Sequence, residues 1–247
     1  MIKKVFFLSL LFSICISQAQ ARVFNLAKEK FASYLFFNGS QPANLKDTPW
    51  VLESTSTSSD KTYSTVTGGE FGFTYATGFV SWRFAFEIFK PSKLSEISAI
   101  KNSAAIYTVS SDITGYAPKL GFEITPWMKD NYKIFAFGYI GTTSVTLKND
   151  YTNVTIAPSA NHTVEMAGTG NLLGGGIGYE TSFFDTTSFI MEAGYRALTV
   201  DQLTYSKAVT TFNGAVTVGQ TVLKTDGGKR SIDLSGAYAT IGFRFWL

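Results

Sequence analysis

Counting back in steps of two from Leu247, the residues Leu247, Phe245, Phe243, Ile241, Ala239 and Ala237 are all apolar. The interleaved set, Trp246, Arg244, Gly242, Thr240, Tyr238 and Gly236, is mostly small or polar. A repeat of two is the repeat of a β-strand, whose side chains point alternately to opposite faces. This strand has one greasy side and one wet side, with aromatics gathered at its end. An edge strand of a soluble sheet rarely leaves that much aromatic surface at a terminus, whereas a strand that closes a barrel in lipid does so by design.

The other end of the chain carries an export signal. Lys3 and Lys4 form a basic start, Val5 to Ile16 is an apolar stretch broken only by Ser9, Ser13 and Cys15, and Ala19-Gln20-Ala21 is a small-x-small cleavage site. The pattern predicts a signal peptide over 1–21 and a mature chain that begins at Arg22. The apolar stretch is too short to span a bilayer as a helix. A lipidated Cys15 is disfavoured, because Ile14 precedes it where a small residue is wanted. Lys3 and Lys4 are the only charges in 1–21, so the formal charge of +3 falls to +1 for the remainder. There is no basic stripe, and nucleic-acid binding has no support. Cys15 is the only cysteine, so neither disulfides nor thiolate metal ligands are expected after export.

With 22 Phe, 12 Tyr and 4 Trp, the chain is rich in aromatics, yet beyond the leader no apolar run is long enough for a membrane helix. A transmembrane β-barrel and a secreted β-sandwich both fit those facts. Periodicity separates them. Val80, Trp82, Phe84, Phe86 and Ile88 alternate with Ser81, Arg83, Ala85 and Glu87. Phe71, Phe73 and Tyr75 oppose Glu70, Gly72 and Thr74; Tyr116, Pro118, Leu120, Phe122 and Ile124 oppose Ala117, Lys119, Gly121 and Glu123. Leu173, Ile177 and Tyr179 oppose Gly174, Gly176, Gly178 and Glu180; Phe189, Met191, Ala193 and Tyr195 oppose Ile190, Glu192, Gly194 and Arg196. In the stretch from Tyr132 to Leu147, Phe135, Phe137 and Tyr139 oppose Ala136 and Gly138, which assigns the three rings to the apolar face. Large rings on one face and Gly, Ala and paired charges on the other suit a narrow barrel that is crowded inside and greasy outside. Pro118 lacks a ladder donor, which predicts a local irregularity there.

The connections alternate in length. Residues 76–78, 126–131 and 182–187 are tight; 91–111, 148–168 and 203–231 are long, polar and rich in Thr, Ser, Asn and Lys. In outer-membrane barrels short turns face the periplasm and long loops the outside. Phe79, Trp82, Trp127, Tyr132, Phe183, Phe184 and Phe189 flank the tight turns, with Trp246 at the same level, and read as a periplasmic aromatic girdle. Seven strands follow, at about 65–77, 79–90, 112–125, 131–147, 169–182, 187–202 and 232–247. Parity demands an eighth within 22–64. Phe31 to Gly39 is the best candidate, Trp50 to Thr57 the alternative, and 24–35 also fits a helix; the remainder of 22–64 is read as the first extracellular loop. Asn213-Gly214 is a hairpin signal inside the last loop. If that hairpin spans lipid, the barrel has ten strands rather than eight.

On these residues the chain resembles the small outer-membrane β-barrel superfamily of OmpA-like and OmpX-like eight-stranded proteins. The resemblance rests on the exported N-terminus, Ala117-Pro118-Lys119-Leu120-Gly121, Gly174-Gly175-Gly176-Ile177-Gly178-Tyr179-Glu180, Glu192-Ala193-Gly194-Tyr195-Arg196 and Gly242-Phe243-Arg244-Phe245-Trp246-Leu247, and covers nearly all of 65–247. It implies an all-β, up-and-down antiparallel barrel in the outer membrane of a Gram-negative envelope. It also implies monomeric assembly and contact with outer-membrane lipid and lipopolysaccharide. Phe243, Phe245, Trp246 and Leu247 would be the signal read by the outer-membrane assembly machinery, although such barrels usually end in Phe or Trp rather than Leu.

Facing the lumen are Arg83, Lys119, Arg196 and Arg244 against Glu70, Glu87, Glu123, Glu180 and Glu192. Counted from the tight turns they fall into two tiers: Arg83, Glu123, Glu180, Glu192 and Arg244 low, Glu70, Glu87, Lys119 and Arg196 higher. Buried charges must pair, and an eight-stranded bore is filled by its own side chains, so a packed, salt-bridged lumen is favoured over a gate or ion path. No enzyme is expected. His162, the only histidine, is followed by Thr163-Val164 rather than by the His-x-Ser of a barrel deacylase. It also lies in the third loop, where a palmitoyl-transferase-like site wants the first, and the residue set of an omptin-like protease is missing. No phosphate-loop, G-x-S-x-G or H-E-x-x-H pattern occurs, and no cofactor or metal is implied. The expected role is envelope structure or recognition of an unidentified extracellular ligand through the loops, with a small-solute or ion channel as the alternative and a lipid-modifying enzyme behind both.

Overall fold

The computed structural model describes residues 24–42, 56–57, 63–155, 160–212, 214–224 and 227–247. The predicted leader lies outside them. Eight strands make one antiparallel ring: β1 Phe31–Pro42, β2 Val66–Ala76, β3 Val80–Pro91, β4 Ala104–Met128, β5 Tyr132–Thr152, β6 His162–Phe184, β7 Thr187–Val200 and β8 Gly236–Trp246. Each pairs with its sequence neighbours, and β1 closes the ring. It pairs with β2 from Phe31↔Tyr75 to Ser40↔Val66 and with β8 from Ala32↔Trp246 to Pro42↔Gly236. Closure leaves no open ladder edge around the ring, which is what a sheet in hydrocarbon requires.

The segment 24–30 is a turn rather than a helix. Of the alternative strand at 50–57, only Ser56–Thr57 is described, and it pairs with Leu94–Lys101 outside the ring. Of the Asn213-Gly214 signal, Asn213 lies outside the described residues; Gly214–Val216 pairs with Val209–Thr211 in a small ladder that is also off the ring, so the barrel has eight strands.

All tight connections lie at one end: 77–79, 129–131 and 185–186. Gly78 takes φ 81° in the first of them, a conformation open to glycine. The two prolines of β4 mark its irregularities. At Ala117 and Pro118 the ladder to β5 lapses without a change of register, and around Pro126 the register shifts between Ile124 and Trp127. In both places a missing N–H removes a ladder bond.

From the tight turns upward, the outward residues are apolar and uncharged. Phe37, Phe71, Phe84, Ile88, Tyr116, Phe122, Ile140, Leu173, Ile177 and Ile241 are all exposed on the outside of the ring. The matching inner positions are mostly Gly, Ala, charged or aromatic, with small polar residues such as Asn38, Thr74, Ser81, Ser188 and Thr240 among them. Above the level of Ile88, Tyr116, Ile140 and Leu173 the two sides exchange character. Inside, Val109, Ile113, Val145, Leu147, Val164, Met166, Leu198 and Val200 are fully buried; outside, Thr114, Thr146, Lys148 and Asn171 are exposed. The strands thus run out of the membrane into a soluble-type β-domain with its own hydrophobic core.

This corrects the expectation of long polar loops at 91–111 and 148–168. Residues 104–111, 148–152 and 162–168 are strand, and Leu94–Lys101 folds back on β4 through a turn in which Asn102 and Ser103 have φ of 51° and 63°, the left-handed pair of a tight hairpin. Leu94, Ile97 and Ala99 from that strand, Tyr63, and Leu203, Val222, Ile232 and Leu234 from the last connection complete the same core. An alternating Val/Thr sequence reads as polar when averaged, but it buries one whole face once the strands pair.

Candidate functional site

The lumen of the membrane storey holds the charged residues. Near the tight turns, Arg83 pairs with Glu123 and Glu192, and Arg244 pairs with Glu123 and, at 2.7 Å, with Glu180. Above them, Lys119 pairs with Glu70 and, at 2.9 Å, with Glu87, and Arg196 reaches Glu87 at 3.0 Å and Ser40 at 2.7 Å. Tyr34 donates to Glu70 at 2.9 Å. Its ring lies under the Arg83 guanidinium, 5.7 Å from the centroid, and so spans the two tiers. The structure therefore brings the nine predicted lumenal charges into two clusters. Each carboxylate is matched to a cation, the condition for tolerating charge out of water.

Sequence reasoning missed one member. Lys133, at the base of β5, is buried and lies 2.8 Å from Glu180 and 3.6 Å from Glu123. Among the described residues it balances the ion-paired set, with five cations against five carboxylates: Arg83, Lys119, Lys133, Arg196 and Arg244 facing Glu70, Glu87, Glu123, Glu180 and Glu192. The signal was available, because four positive charges against five negative left one carboxylate short of a partner.

The rings of β5 require a correction. Phe135 and Phe137 are buried in the lumen and Tyr139 packs beside them, while Ile134, Gly138 and Ile140 face outward. The cause is the inner glycine row of β6. The Phe135 ring occupies the space where a side chain at Gly178 would stand, and the Tyr139 ring that at Gly174. Glycine on one strand makes room for an aromatic on the next, which is how a narrow bore fills. Arg83 sits among four such rings, Tyr34, Phe36, Phe135 and Phe137, at 5.4–5.7 Å from their centroids, within cation–π range.

At the tight-turn rim, Phe79, Trp82, Trp127, Phe183 and Phe184 are exposed on the outside, with Tyr132 and Phe189 half-buried beside them. Trp246, placed at that level by sequence, turns inward instead. It is 3% exposed, and its Nε1 donates to Glu180 at 3.1 Å and to Ser188 at 3.0 Å. Of the four residues of the predicted C-terminal signal, Phe243, Phe245 and Leu247 face out and Trp246 faces in.

His162 lies in the upper storey, stacked on Tyr151 at 4.8 Å and edge-on to Phe212 at 4.9 Å, with Nδ1 3.1 Å from the Ala160 carbonyl. Glu165 projects from the other face of β6 and pairs with Lys207, so histidine and carboxylate are not brought together. A polar spine crosses this core: Tyr63 bonds to Ser111, whose hydroxyl donates to Asn149 at 2.6 Å. Burial pushes the Tyr63 phenol well above its ordinary range, against the opposing effect of the Ser111 hydrogen bond, and keeps it protonated. Among the described residues no group of three or more His, Cys, Asp or Glu side chains could hold a metal.

A closed antiparallel ring with an uncharged, ring-rich exterior and a charge-paired interior is a transmembrane β-barrel of the outer-membrane class. No family model matches the chain, and no curated protein matches it. Among solved structures it is similar to the outer membrane protein OprG from Pseudomonas aeruginosa, at 14% identity over 92% of this chain and 99% of that one, with a TM-score of 0.48. It is also similar to Ail, the attachment invasion locus protein of Yersinia pestis (8% identity, 89% and 99% covered, TM-score 0.40). A third is a major outer membrane protein from Thermus thermophilus (8%, 87% and 99%, 0.44). At these identities the likeness is one of fold alone.

Proposed function

We propose that the protein is a non-enzymatic outer-membrane barrel whose lumen is sealed, and that it acts in envelope structure or in surface recognition through its extracellular storey. The observation that carries this reading is the filled upper end. Where a channel has a mouth, this chain has a hydrophobic core built from Ile113, Val145, Leu147, Met166 and Leu198 together with residues of the connecting segments. Beneath it the bore is occupied by ion pairs and rings. The outward Thr, Asn and Lys of the upper strands suit wet contacts to lipopolysaccharide sugars or to a partner at the cell surface. The outer aromatic band suits the lipid itself, and Phe243, Phe245 and Leu247 suit the assembly machinery.

Planar-bilayer recording of the purified barrel tests it. The expected result is no stable conductance; a large, steady open channel overturns the sealed-lumen reading. One feature favours the competing reading of a narrow ion or solute path: a small cavity between the tiers, where Glu70, Arg83, Lys119 and Glu192 meet the apolar Ala85 and Phe137. The same recording decides between them.

A further inference from the structure

The tight-turn mouth of the barrel is crossed by the chain's own N-terminal segment. β1 starts at Phe31, between β2 and β8. Asp130 lies in the turn between β4 and β5, on the far side of the ring whichever way the strands are counted. Residues 24–30 join the two. On the near side Ala76 N donates to the Lys30 carbonyl at 2.6 Å; on the far side Leu26 N donates to the Asp130 carbonyl at 3.0 Å and Asn25 Nδ2 to the Asp130 carboxylate at 2.9 Å. Asn25 also shapes the turn, since its Oδ1 accepts from Ala27 N and its carbonyl from Lys28 N. Leu26 is 2% exposed and belongs to one apolar cluster with Ala32, Ala76 and Trp246, with Phe24 packed against it. The Trp246 indole is in turn bonded to Glu180, in the lower ion-pair cluster.

We infer that residues 24–30 are a strap that closes the periplasmic mouth and keeps water from the lower ion pairs, with Leu26 as the stopper and Asp130 as the catch. A charged cluster just inside an open mouth would be hydrated and screened; beneath an apolar lid its pairing is stronger. The strap is held at β1 by the ladder and at its far end by a few bonds at a solvent-exposed turn, so it is the weaker of the barrel's two closures. Release opens the periplasmic side and leaves the extracellular core shut.

Cysteine accessibility tests this. Thr74 and Val145 both face inward and are 0% exposed, the first in the membrane storey near the strap and the second in the extracellular core. Thr74 Oγ1 has no hydrogen-bond partner among the described residues, so a thiol replaces it with little disturbance. The full chain is exported carrying Cys15→Ser with either Thr74→Cys or Val145→Cys as the sole thiol. It is then purified in detergent, checked by heat-modifiable migration and treated with a small cationic methanethiosulfonate. With the strap intact both thiols react slowly. Leu26→Asp, or Asn25→Ala with Asp130→Ala, speeds reaction at Thr74→Cys by about tenfold or more, as a lost local closure does. Val145→Cys is unchanged, and Leu26→Met retains protection. Rapid reaction at Thr74→Cys beneath an intact strap overturns the proposal. So does an unchanged rate in released variants that still migrate as folded, or an equal rise at Val145→Cys.

Discussion

The two storeys of this molecule share their strands but obey opposite rules. In the lower one the outward face is Phe, Ile, Leu and Tyr and the inward face is charge, glycine and ring; in the upper one the inward face is Val, Leu, Ile and Met and the outward face is Thr, Asn and Lys. The inward parity does not change between them: on β4 Glu123, Lys119 and Ile113 all point in, as on β5 do Lys133, Phe137 and Leu147. What changes is which side meets water. Below, hydrocarbon lies outside and apolar side chains gain nothing by turning in, so coherence comes from closed ladders and paired charges. Above, water lies outside and ordinary hydrophobic burial resumes. The height at which the pattern inverts marks the membrane surface.

The largest blow to the lower storey is loss of Glu123, which faces Arg83, Arg244 and Lys133. Glu123→Leu leaves three buried cations with two carboxylates, and removing one member of such a buried set costs about 3–5 kcal/mol. Urea unfolding of the barrel in lipid, read by loss of the heat-modifiable band, is expected to shift accordingly. An unshifted midpoint would show that water reaches the pairs and screens them. In the upper storey the matching change is Leu147→Ala, which empties a fully buried position and costs about 2–5 kcal/mol. Here the expected readout is local: external protease cuts the upper strands while the membrane ring still migrates as folded. If both storeys fail together, they are one cooperative unit and the division into two is only geometric.

The exteriors offer a sharper contrast. Phe84 stands on the lipid side and is 58% exposed on the isolated chain. Phe84→Arg places a cation in hydrocarbon and is expected to cost about 2–4 kcal/mol. Thr146→Arg makes a comparable change on the outward face of the upper storey and is expected to stay within about 0.5 kcal/mol. Equal costs would place Thr146 within the bilayer and move the boundary upward.

The strands were legible because alternation is a direct trace of which face meets lipid. Where it failed, both faces carried apolar residues. On β5, Phe135 and Phe137 alternate with Ile134 and Ala136, and ring size pointed the wrong way. The answer lay in the neighbouring strand, whose inner glycines had to be filled by something. Lys133 was hidden by its place beside a turn, though the charge count already lacked a cation. The upper storey was hidden for another reason. Val145, Leu147, Val164 and Met166 alternate with Thr and charged residues, but that pattern belongs to soluble sheets, and only pairing shows that it continues the barrel. The Leu26 strap left only a misleading trace, a helical fit over 24–35 that joins a turn to the start of β1, and one apolar residue in a turn looks like any other.

The smallest predicted effect separates the storeys by pH. On the outside of the upper storey, Lys148 lies 3.0 Å from Asp150, and Thr163 donates to the same aspartate at 2.7 Å. Partial burial alone would raise the Asp150 carboxyl, but the Thr163 hydroxyl and the Lys148 ammonium outweigh it and hold the group below the usual carboxylate range. The hydrogen bond to Asp150 and its charge raise Lys148 in turn. A depressed carboxyl stabilises the fold above the pH at which a free aspartate titrates, about 3.9, and that contribution is lost as the pH falls through the folded-state value. A raised lysine acts in the other direction, stabilising below about 10.4 and losing its effect as the pH rises further. The pair is half exposed, so its worth is that of a surface ion pair, about 0–1 kcal/mol and weaker in salt. Protease cleavage of the upper strands, compared between the native chain and Asp150→Asn, is expected to differ slightly at neutral pH in low salt and to converge in strong acid. A difference that persists in acid would assign the effect to the Thr163 hydrogen bond rather than to charge.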